Sequence, residues 1–237
     1  MSYNVRLLNR YNWIDSEDIP DRIQQFVINQ NPDFLCIQEY QSSIAKPLPL
    51  PFSFGSDKTS KSELVIFSKR PFVNSGSIAF PNSANSAIFA DFKINTDTIR
   101  VYNVHLQSSG VNAKIDNFDT ETSDLMINQL RKTFKMQQTQ AELLTAHMET
   151  SPYKIILCGD FNNTAHSYVY RLMKSNLQDA FQEAGSGFGR TYAMNYYPAR
   201  IDFILVDPQI KVTNFKTHHE ELSDHFPISA VVDIPSL

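Results

Sequence analysis

The clearest candidates for chemistry are Asp160 and Asn162, which follow a short apolar run in the stretch K-I-I-L-C-G-D-F-N-N at residues 154–163. A run this short, with Ser-Pro before it and Gly-Asp after it, is typical of a strand buried on both faces. Side chains at positions i and i+2 of an extended chain lie on the same side. Asp160 and Asn162 would therefore present a carboxylate and a carboxamide together at the end of a rigid strand. The alternative is an ordinary turn, because Asp, Asn and Gly are all turn formers.

Other predicted strands end in the same way, with a polar side chain after an apolar run. These residues, together with the first pair, are Asn4, Glu39, Asn103, His105, Asp160, Asn162, Asp202, Asp224 and His225. Some have a simpler explanation when taken alone: Asp202 could pair with Arg200, and His225 could be a hydrogen-bonded core histidine. Taken together, however, so many polar groups in buried strands would each need a separate partner, because an unpaired buried charge is costly. One shared polar site would satisfy all of them, so we predict that they converge.

The residue types limit the chemistry that such a site could perform. Carboxylate and amide oxygens, without cysteine or clustered histidine, favour a hard cation, Mg²⁺ or Mn²⁺, over zinc. The sequence contains neither a G-x-S-x-G nucleophile motif nor a G-x-x-x-x-G-K-[ST] phosphate loop. Acids, histidines and a divalent ion suit hydrolysis of a phosphate ester. The ion neutralises phosphate charge, a carboxylate takes a proton from water, and a cationic histidine stabilises the transition state.

Hydrophobic periodicity indicates the elements that would position these residues. Strands are predicted at residues 3–7, 33–40, 63–68, 87–94, 98–105, 154–158, 200–206 and 222–232, with a hairpin turn at 95–97. A helix is predicted over residues 15–30, with Asp15 or Ser16 as N-cap and Pro20 in its first turn. Further helices are predicted over residues 120–148, and from a Thr164 cap to about residue 174. The proline-rich residues 47–51 and the Ser/Asn/Gly-rich residues 74–86 are predicted to be loops.

The composition is that of a globular protein. The 237 residues, 42% hydrophobic and 19% charged, show no repeat, linker or low-complexity tract. We therefore predict one layered α/β or α+β domain over residues 1–237. The net charge of −4 provides no overall basic field toward nucleic acid or an anionic membrane, although it leaves room for a local basic cleft. No obligate protein partner is implied.

The sequence leaves the cellular compartment open. Cys36 and Cys158 both fall in apolar strands, which favours free buried thiols, with one disulfide as the alternative. No apolar run is long enough to span a membrane and no signal peptide begins the chain, so we expect a soluble domain. The first strand starts almost at residue 1, so we also expect that upstream residues were removed. The domain could then belong to a longer secreted or membrane-anchored bacterial protein.

Six short segments resemble, in order, the metal-dependent endonuclease/exonuclease/phosphatase superfamily, which includes deoxyribonucleases, bacterial sphingomyelinases and inositol polyphosphate phosphatases. The segments are S-Y-N-V at 2–5, Q-E at 38–39, N-V-H-L at 103–106, G-D-F-N at 159–162, R-I-D-F-I at 200–204 and S-D-H-F-P at 223–227. Each segment is weak evidence alone, but together they span the chain. The resemblance implies a four-layered sandwich of two packed, mostly antiparallel β-sheets flanked by helices, with the site at one end of the sheets.

The resemblance also implies a metal site. Glu39 would be the principal Mg²⁺ ligand, and Asn4 would lie close to the ion and to the attacking water or a phosphate oxygen. Asp224 would lie near the ion or orient His225.

The resemblance implies catalytic roles for the other residues. Asp160 would position or deprotonate the water, and Asn162 would help to hold it. His225, paired with Asp202, would stabilise the phosphoryl transition state, while His105 would bind phosphate or assist the leaving group. The predicted catalytic set is Asp160, Asn162, His225, His105, Asp202 and Asn103.

The substrate stays open between classes of phosphate ester, with phosphodiesters favoured. The alternatives are a nuclease on DNA or RNA, and an esterase that binds a lipid headgroup or an inositol phosphate. Arg6 stands where abasic-site endonucleases carry an acidic residue, which argues against repair of abasic DNA.

A nuclease should surround its cleft with cations, whereas a lipid enzyme should expose an apolar rim. The candidate substrate-binding cations are Arg6, Arg190 and Arg200, and further candidates for the cleft are Lys58, Lys61, Lys69 and Arg70. The candidate rim loops are 47–54 and 107–118. A non-catalytic binding module is the contrasting hypothesis, and it is disfavoured because every expected ligand position is filled.

Overall fold

The computed structural model describes residues 1–56, 62–110, 120–193 and 198–235. Lys58, Lys61 and residues 111–118 of the predicted rim therefore lie outside the described residues. In the part of the chain that is described, no helix combines the length and the hydropathy that a membrane crossing requires.

Strands and helices alternate irregularly along the chain. The strands are β1 (Ser2–Asn4), β2 (Phe34–Tyr40), β3 (Phe52–Gly55), β4 (Glu63–Ser68), β5 (Phe72–Ala79), β6 (Ser86–Ile94), β7 (Asp97–His105), β8 (Lys154–Asp160), β9 (Gln178–Asp179), β10 (Asp202–Val206), β11 (Lys211–Thr217) and β12 (Ile228–Asp233). The helices are α1 (Ile19–Gln30), α2 (Thr120–Glu149), α3 (Tyr168–Lys174) and α4 (Ala180–Ala184), and a single left-handed turn covers Arg6–Asn9.

The strands form two sheets of six. Sheet A has the order β11-β12-β1-β2-β4-β3, and sheet B has the order β5-β6-β7-β8-β10-β9. Only the β1–β2 and β7–β8 pairs are parallel, and every other described pair is antiparallel. The prediction of two mostly antiparallel sheets is confirmed.

Three apolar clusters hold the layers together. Between the sheets, residues such as Cys36 and Ile66 of sheet A pack with Ile88 and Ile204 of sheet B. The outer face of sheet A packs against α1, and the outer face of sheet B packs against α2 and α3. The result is the predicted order of helix, sheet, sheet and helix.

The four strands that the sequence pattern did not identify, β3, β5, β9 and β11, are the four edge strands of the two sheets. An edge strand is half solvated, so it lacks the apolar run or clean alternation that marks a central strand. The prediction of a loop over residues 74–86 is wrong for residues 74–79 for this reason: β5 occupies Phe72–Ala79, and four of its eight residues are polar or glycine.

Helix α1 begins later than predicted, with Asp18 rather than Asp15 or Ser16 as its N-cap. The amide of Asn9 donates to the carbonyls of Ile14 and Ser16 and accepts from the backbone N–H of Ile14. These bonds hold residues 14–16 in a non-helical path. Helix α3 is likewise capped by Ser167, whose hydroxyl accepts from the N–H of Tyr170, instead of by Thr164.

Both cysteines are free and buried in the core between the sheets, which confirms the favoured prediction of free buried thiols.

Candidate active site

Three predicted site residues lie side by side at one end of sheet B. Asp160 ends β8, and its register partners are His105 at the end of β7 and Asp202 at the start of β10. Residues in one row across a sheet project to the same face. The pairing therefore places one imidazole and two carboxylates together, facing sheet A.

Gly159 allows β7 and β8 to approach at this point. Its φ is +148°, and a Cβ atom there would lie 2.0 Å from the carbonyl oxygen of Val104. Only glycine avoids that contact, so the glycine before Asp160 positions the row of His105, Asp160 and Asp202.

Sheet A contributes Asn4 and Glu39, from the ends of β1 and β2. The Asn4 amide donates to Glu39 Oε1 at 3.2 Å and to Asp160 Oδ2 at 3.0 Å, so it bridges the two sheets. The ladder of β2 is irregular between Ile37 and Tyr40, and Glu39 has a φ of +52°. This bulge directs the Glu39 carboxylate into the site.

The segment before β12 supplies His225. Its Nδ1 lies 2.9 Å from Asp202 Oδ2, and its Nε2 lies 3.7 Å from Asp160 Oδ2. Burial lowers the pKa of His225, but the carboxylates of Asp202 and Asp160 outweigh burial and raise the pKa to about 10. The imidazole is therefore a cation at neutral pH, as expected from the predicted pair with Asp202.

Asp160 lies at the centre of the site and is 1% exposed. Burial raises its pKa to about 6, although the nearby His225 acts in the opposite direction. The backbone N–H of Asn162 donates to Asp160 Oδ1 at 2.7 Å. A carboxyl group poised near neutral pH is suited to accept a proton.

The donor set fits a hard cation. His105 Nε2 is buried and, among the described residues, makes no hydrogen bond; it lies 3.8 Å from Glu39 Oε1 and 3.7 Å from Asp160 Oδ2. An orphaned donor between two carboxylates shows that the described groups do not complete the site by themselves. The carboxylate oxygens of Glu39 and Asp160 are ligands that Mg²⁺ prefers, and the Asn4 amide holds both carboxylates in place.

A second group that could hold a metal, as judged over the described residues, is Asp160, Asp202 and His225, whose ligand atoms lie within 4.8 Å of one another. We favour the Glu39 side, because the Nδ1 of His225 is occupied by Asp202, whereas Glu39 and Asp160 offer two carboxylates on either side of the unpartnered His105 Nε2.

Asn103 takes a different place from the other predicted catalytic residues. It lies two positions before His105 and is fully buried. Its amide donates to the carbonyls of Ile37 and Val65, and its Oδ1 accepts from Gln38 at 2.6 Å. Asn103 thus joins the two sheets beneath the site, and we assign it a positioning role in place of the predicted catalytic one.

The three predicted substrate cations have different surroundings in the structure. Arg6 pairs with Asp224 at 3.2 Å at the mouth of the site. Arg200 pairs instead with the buried Asp179 at 2.6 Å and lies over the ring of Phe203, which makes it structural. Arg190 donates to the carbonyl of Tyr192, next to the ring that packs on His225.

Two positioning residues were missed by the sequence analysis. The Ser223 hydroxyl donates to the carbonyl of Asn4 and accepts from the N–H of His225, which ties the His225 segment to β1. The buried amide of Gln137 donates to the carbonyl of Asn162. In the sequence, the role of Gln137 was signalled only by its being a glutamine on the apolar face of α2.

The site opens into a small pocket of about 210 Å³ beside Glu39 and His105. A larger cavity, of about 670 Å³, lies near Phe34 and Val232 at the opposite ends of β2 and β12. Arg70, a candidate cleft cation, lines the larger cavity, but none of the predicted catalytic or metal-binding residues does. The site is therefore identified by its residue types and not by its volume.

Comparisons with known proteins agree with this arrangement. The fold resembles a mannosyl-6-phosphatase of Bacteroides thetaiotaomicron, with a TM-score of 0.77 and 18% identity over 98% of both chains. It also resembles an endonuclease/exonuclease/phosphatase of Bacteroides vulgatus (TM-score 0.79, 20% identity, 99% of this chain and 97% of that chain). A third similar structure is D. rerio TDP2 complexed with single-strand DNA product (TM-score 0.75, 16% identity, 98% and 97%). No match is found among curated protein sequences.

These structural likenesses establish the fold. The sequence model of one family matches residues 1–225, which is nearly the whole chain. The chain therefore belongs to the endonuclease/exonuclease/phosphatase family of phosphoester hydrolases.

Proposed function

We propose that the chain hydrolyses phosphodiesters with the help of a bound Mg²⁺ or Mn²⁺ ion. The observation that carries this proposal is the convergence on Asp160 Oδ2 of the Asn4 amide and the imidazoles of His105 and His225. A carboxylate and two imidazoles gathered around one point suit the transfer of a phosphoryl group to water.

In the mechanism, Asp160 accepts a proton from the attacking water. Asn162 restrains one Asp160 oxygen and Asn4 restrains the other, so the carboxylate has a fixed orientation. The cationic His225, held by Asp202, stabilises negative charge on the phosphoryl oxygens.

His105 and Glu39 act on the other side of the reacting group. His105 Nε2 is the unpaired donor of the site, and we assign it to a phosphate oxygen or to the leaving group. Glu39, with Asn4, would hold the ion, which when bound neutralises phosphate charge and polarises the ester.

The charges favour small substrates over long nucleic acids. Within the described residues, Arg200 is taken up by Asp179 and Arg6 is paired with Asp224, and the whole chain carries a net charge of −4. A polynucleotide gains most of its affinity from free cations. The likeness to a mannosyl-6-phosphatase adds phosphomonoesters as a second candidate class, and the likeness to TDP2 keeps DNA in the test panel.

The decisive experiment is hydrolysis of bis-p-nitrophenyl phosphate in the presence of Mg²⁺, compared with p-nitrophenyl phosphate and with single-stranded DNA. Asp160→Asn should lower kcat by roughly 10²–10⁴-fold, because it removes the proton acceptor while keeping its shape. EDTA should abolish turnover, and Mg²⁺ or Mn²⁺ should restore it.

Asp33→Asn is the matched control, because Asp33 is an exposed aspartate at the start of β2, far from Glu39. It should retain wild-type rates. Equal rates for wild type and Asp160→Asn would refute the assigned base, and turnover that resists EDTA would refute the metal.

A further inference from the structure

The loop between β1 and α1 is held in an unusual conformation. Four consecutive residues, Arg6–Asn9, have φ between +43° and +61°, in the left-handed region. Such a conformation costs roughly 1–2 kcal/mol per non-glycine residue, so the surrounding contacts must enforce it. Leu8 is buried in the core and the Asn9 amide makes three hydrogen bonds to the loop, which supply that restraint.

This rigid loop exposes two aromatic rings next to each other. Tyr11 is 58% exposed and Trp13 is 41% exposed. Their ring centres are 5.2 Å apart and the rings meet edge to face, at 74°. The guanidinium of Arg6 lies over the Trp13 ring at 4.4 Å. Single exposed aromatic residues are common, but a preorganised pair stacked on an arginine is a surface for recognition.

The pair is connected directly to the catalytic groups. The same Arg6 guanidinium pairs with Asp224 at 3.2 Å, and the Arg6 backbone N–H donates to Asn4 Oδ1 at 3.0 Å. Asn4 in turn bonds to Asp160. Trp13 is thus separated from the candidate metal and water ligands by a single side chain.

We propose that Tyr11 and Trp13 form a stacking subsite for the sugar ring of a small phosphoester bound at the active site. This inference rests on the proposed function and specifies its substrate. A sugar presents an apolar C–H face to an aromatic ring, while Arg6 offers donors to its hydroxyl groups. A nucleoside also carries a sugar ring and adds a base. A hexose phosphate and a nucleotide could therefore both supply the sugar ring that this subsite binds.

The test is a binding measurement on Asp160→Asn with Mg²⁺, so that turnover is too slow to disturb the titration. The probes are inorganic phosphate, glycerol 3-phosphate, glucose 6-phosphate and thymidine 5′-phosphate, with dissociation constants from calorimetry. The ring-bearing probes should bind about tenfold more tightly than glycerol 3-phosphate, since one stacked ring contributes on this scale. Adding Trp13→Ala should remove that preference and leave the affinity for glycerol 3-phosphate unchanged.

The sequence provides an internal reporter, because Trp13 is its only tryptophan. Glucose 6-phosphate and thymidine 5′-phosphate should change the fluorescence of Trp13, whereas inorganic phosphate should not. Val73→Ala is the control: Val73 is 64% exposed on the edge strand β5, and its neighbour Phe72 pairs with Phe92, at the end of β6 far from the Ser86–His105 pair. It should keep the preference for rings.

The outcomes separate the two proposals. If ring-bearing and acyclic probes bind equally, the subsite is refuted while the phosphate site stands. If no probe binds and no ester is hydrolysed, the proposed function itself fails. If thymidine 5′-phosphate alone gains affinity, the assignment of the stacked ring as a sugar is overturned, because the base and not the sugar then carries the preference. A loss of glycerol 3-phosphate binding in Trp13→Ala would overturn the subsite, because it would show that Trp13 acts through Arg6 on the phosphate site and not by stacking on a ring.

Discussion

A single oxygen atom, Oδ2 of Asp160, accepts from Asn4 and lies within 3.7 Å of the imidazoles of His105 and His225. These partners come from sheet A, from sheet B and from the segment before β12. The carboxyl group is kept near its protonation midpoint by opposing influences, since burial raises its pKa and the imidazoles lower it. Small changes in any neighbour should therefore be visible in the pH dependence of activity.

Asp202→Asn should move the alkaline limb of the profile of kcat/KM against pH to lower pH. The wild-type His225 keeps its proton until about pH 10 because two carboxylates outweigh its burial, and the substitution removes one of them. The expected loss is about a hundredfold at pH 9 and much smaller at pH 6, where His225 is still protonated. The measurement is the pH profile of bis-p-nitrophenyl phosphate hydrolysis.

Asp207→Asn, just past the other end of β10, is the control and should leave both limbs in place. A rate that falls equally at every pH would show that Asp202 orients the ring without controlling its charge.

At the scale of elements, the site is built where strands end. The ends of β1, β2, β7 and β8 and the start of β10 lie at one edge of the sandwich, so residues far apart in the chain meet there. The closeness of β7 and β8 depends on the missing side chain at Gly159.

Gly159→Ala should destabilise the fold by roughly 3 kcal/mol or more and abolish activity, because the added Cβ meets the backbone of Val104, which cannot move cheaply. Chemical denaturation measures the free energy of unfolding. Gly187→Ala is the control, since Gly187 has a φ of +71° with no atom near its Cβ position. It should cost roughly 1 kcal/mol and leave the rate unchanged. Equal losses of stability at the two positions would show that the cost at Gly159 comes from its backbone conformation and not from the contact with Val104.

The central strands and their terminal polar residues could be predicted from the sequence, because buried strands carry an apolar run and a polar residue at its end is conspicuous. Asp160 and Glu39 were found in this way. His225 was predicted inside a strand over residues 222–232, whereas the structure places it before β12, which begins at Ile228. The edge strands could not be found, because solvent on one side removes the pattern.

The roles that depend on distance could not be predicted from sequence either. Arg200 was interpreted as a substrate cation, but its partner Asp179 is 21 residues away and the pair exists only in three dimensions. No sequence pattern indicated a role for Trp13, because the proposed role depends on the loop conformation that places its ring beside Arg6.

At the scale of the whole molecule, burial of a titratable group against the core makes stability depend on pH. His218 is 4% exposed, packs edge to face against Phe26 of α1 and shares a hydrogen bond with Ser229 of β12. Burial lowers its pKa from 6.5 to about 4, and the charge of Lys216 acts in the same direction.

The free energy of unfolding should therefore fall as the pH decreases from about 6.5 to 4. In this range the unfolded chain binds a proton at His218 that the folded protein does not, so acid favours unfolding. The expected loss is about 1.4 kcal/mol per pH unit and roughly 3 kcal/mol in total. His218→Gln should flatten this part of the curve in urea denaturation at several pH values.

His219→Gln, at the neighbouring exposed position, should keep the wild-type slope. If the slope survives in His218→Gln and disappears in His219→Gln, the buried imidazole is not the group responsible.

The left-handed turn at Arg6–Asn9 has a consequence for engineering. Glycine adopts that conformation at little steric cost, so glycine at Leu7, which is only half buried, should relax the backbone there. Selection for heat resistance alone would thus be drawn to this loop. The same flexibility would release Tyr11 and Trp13 from their fixed angle, and the gain in robustness would come with poorer discrimination between substrates.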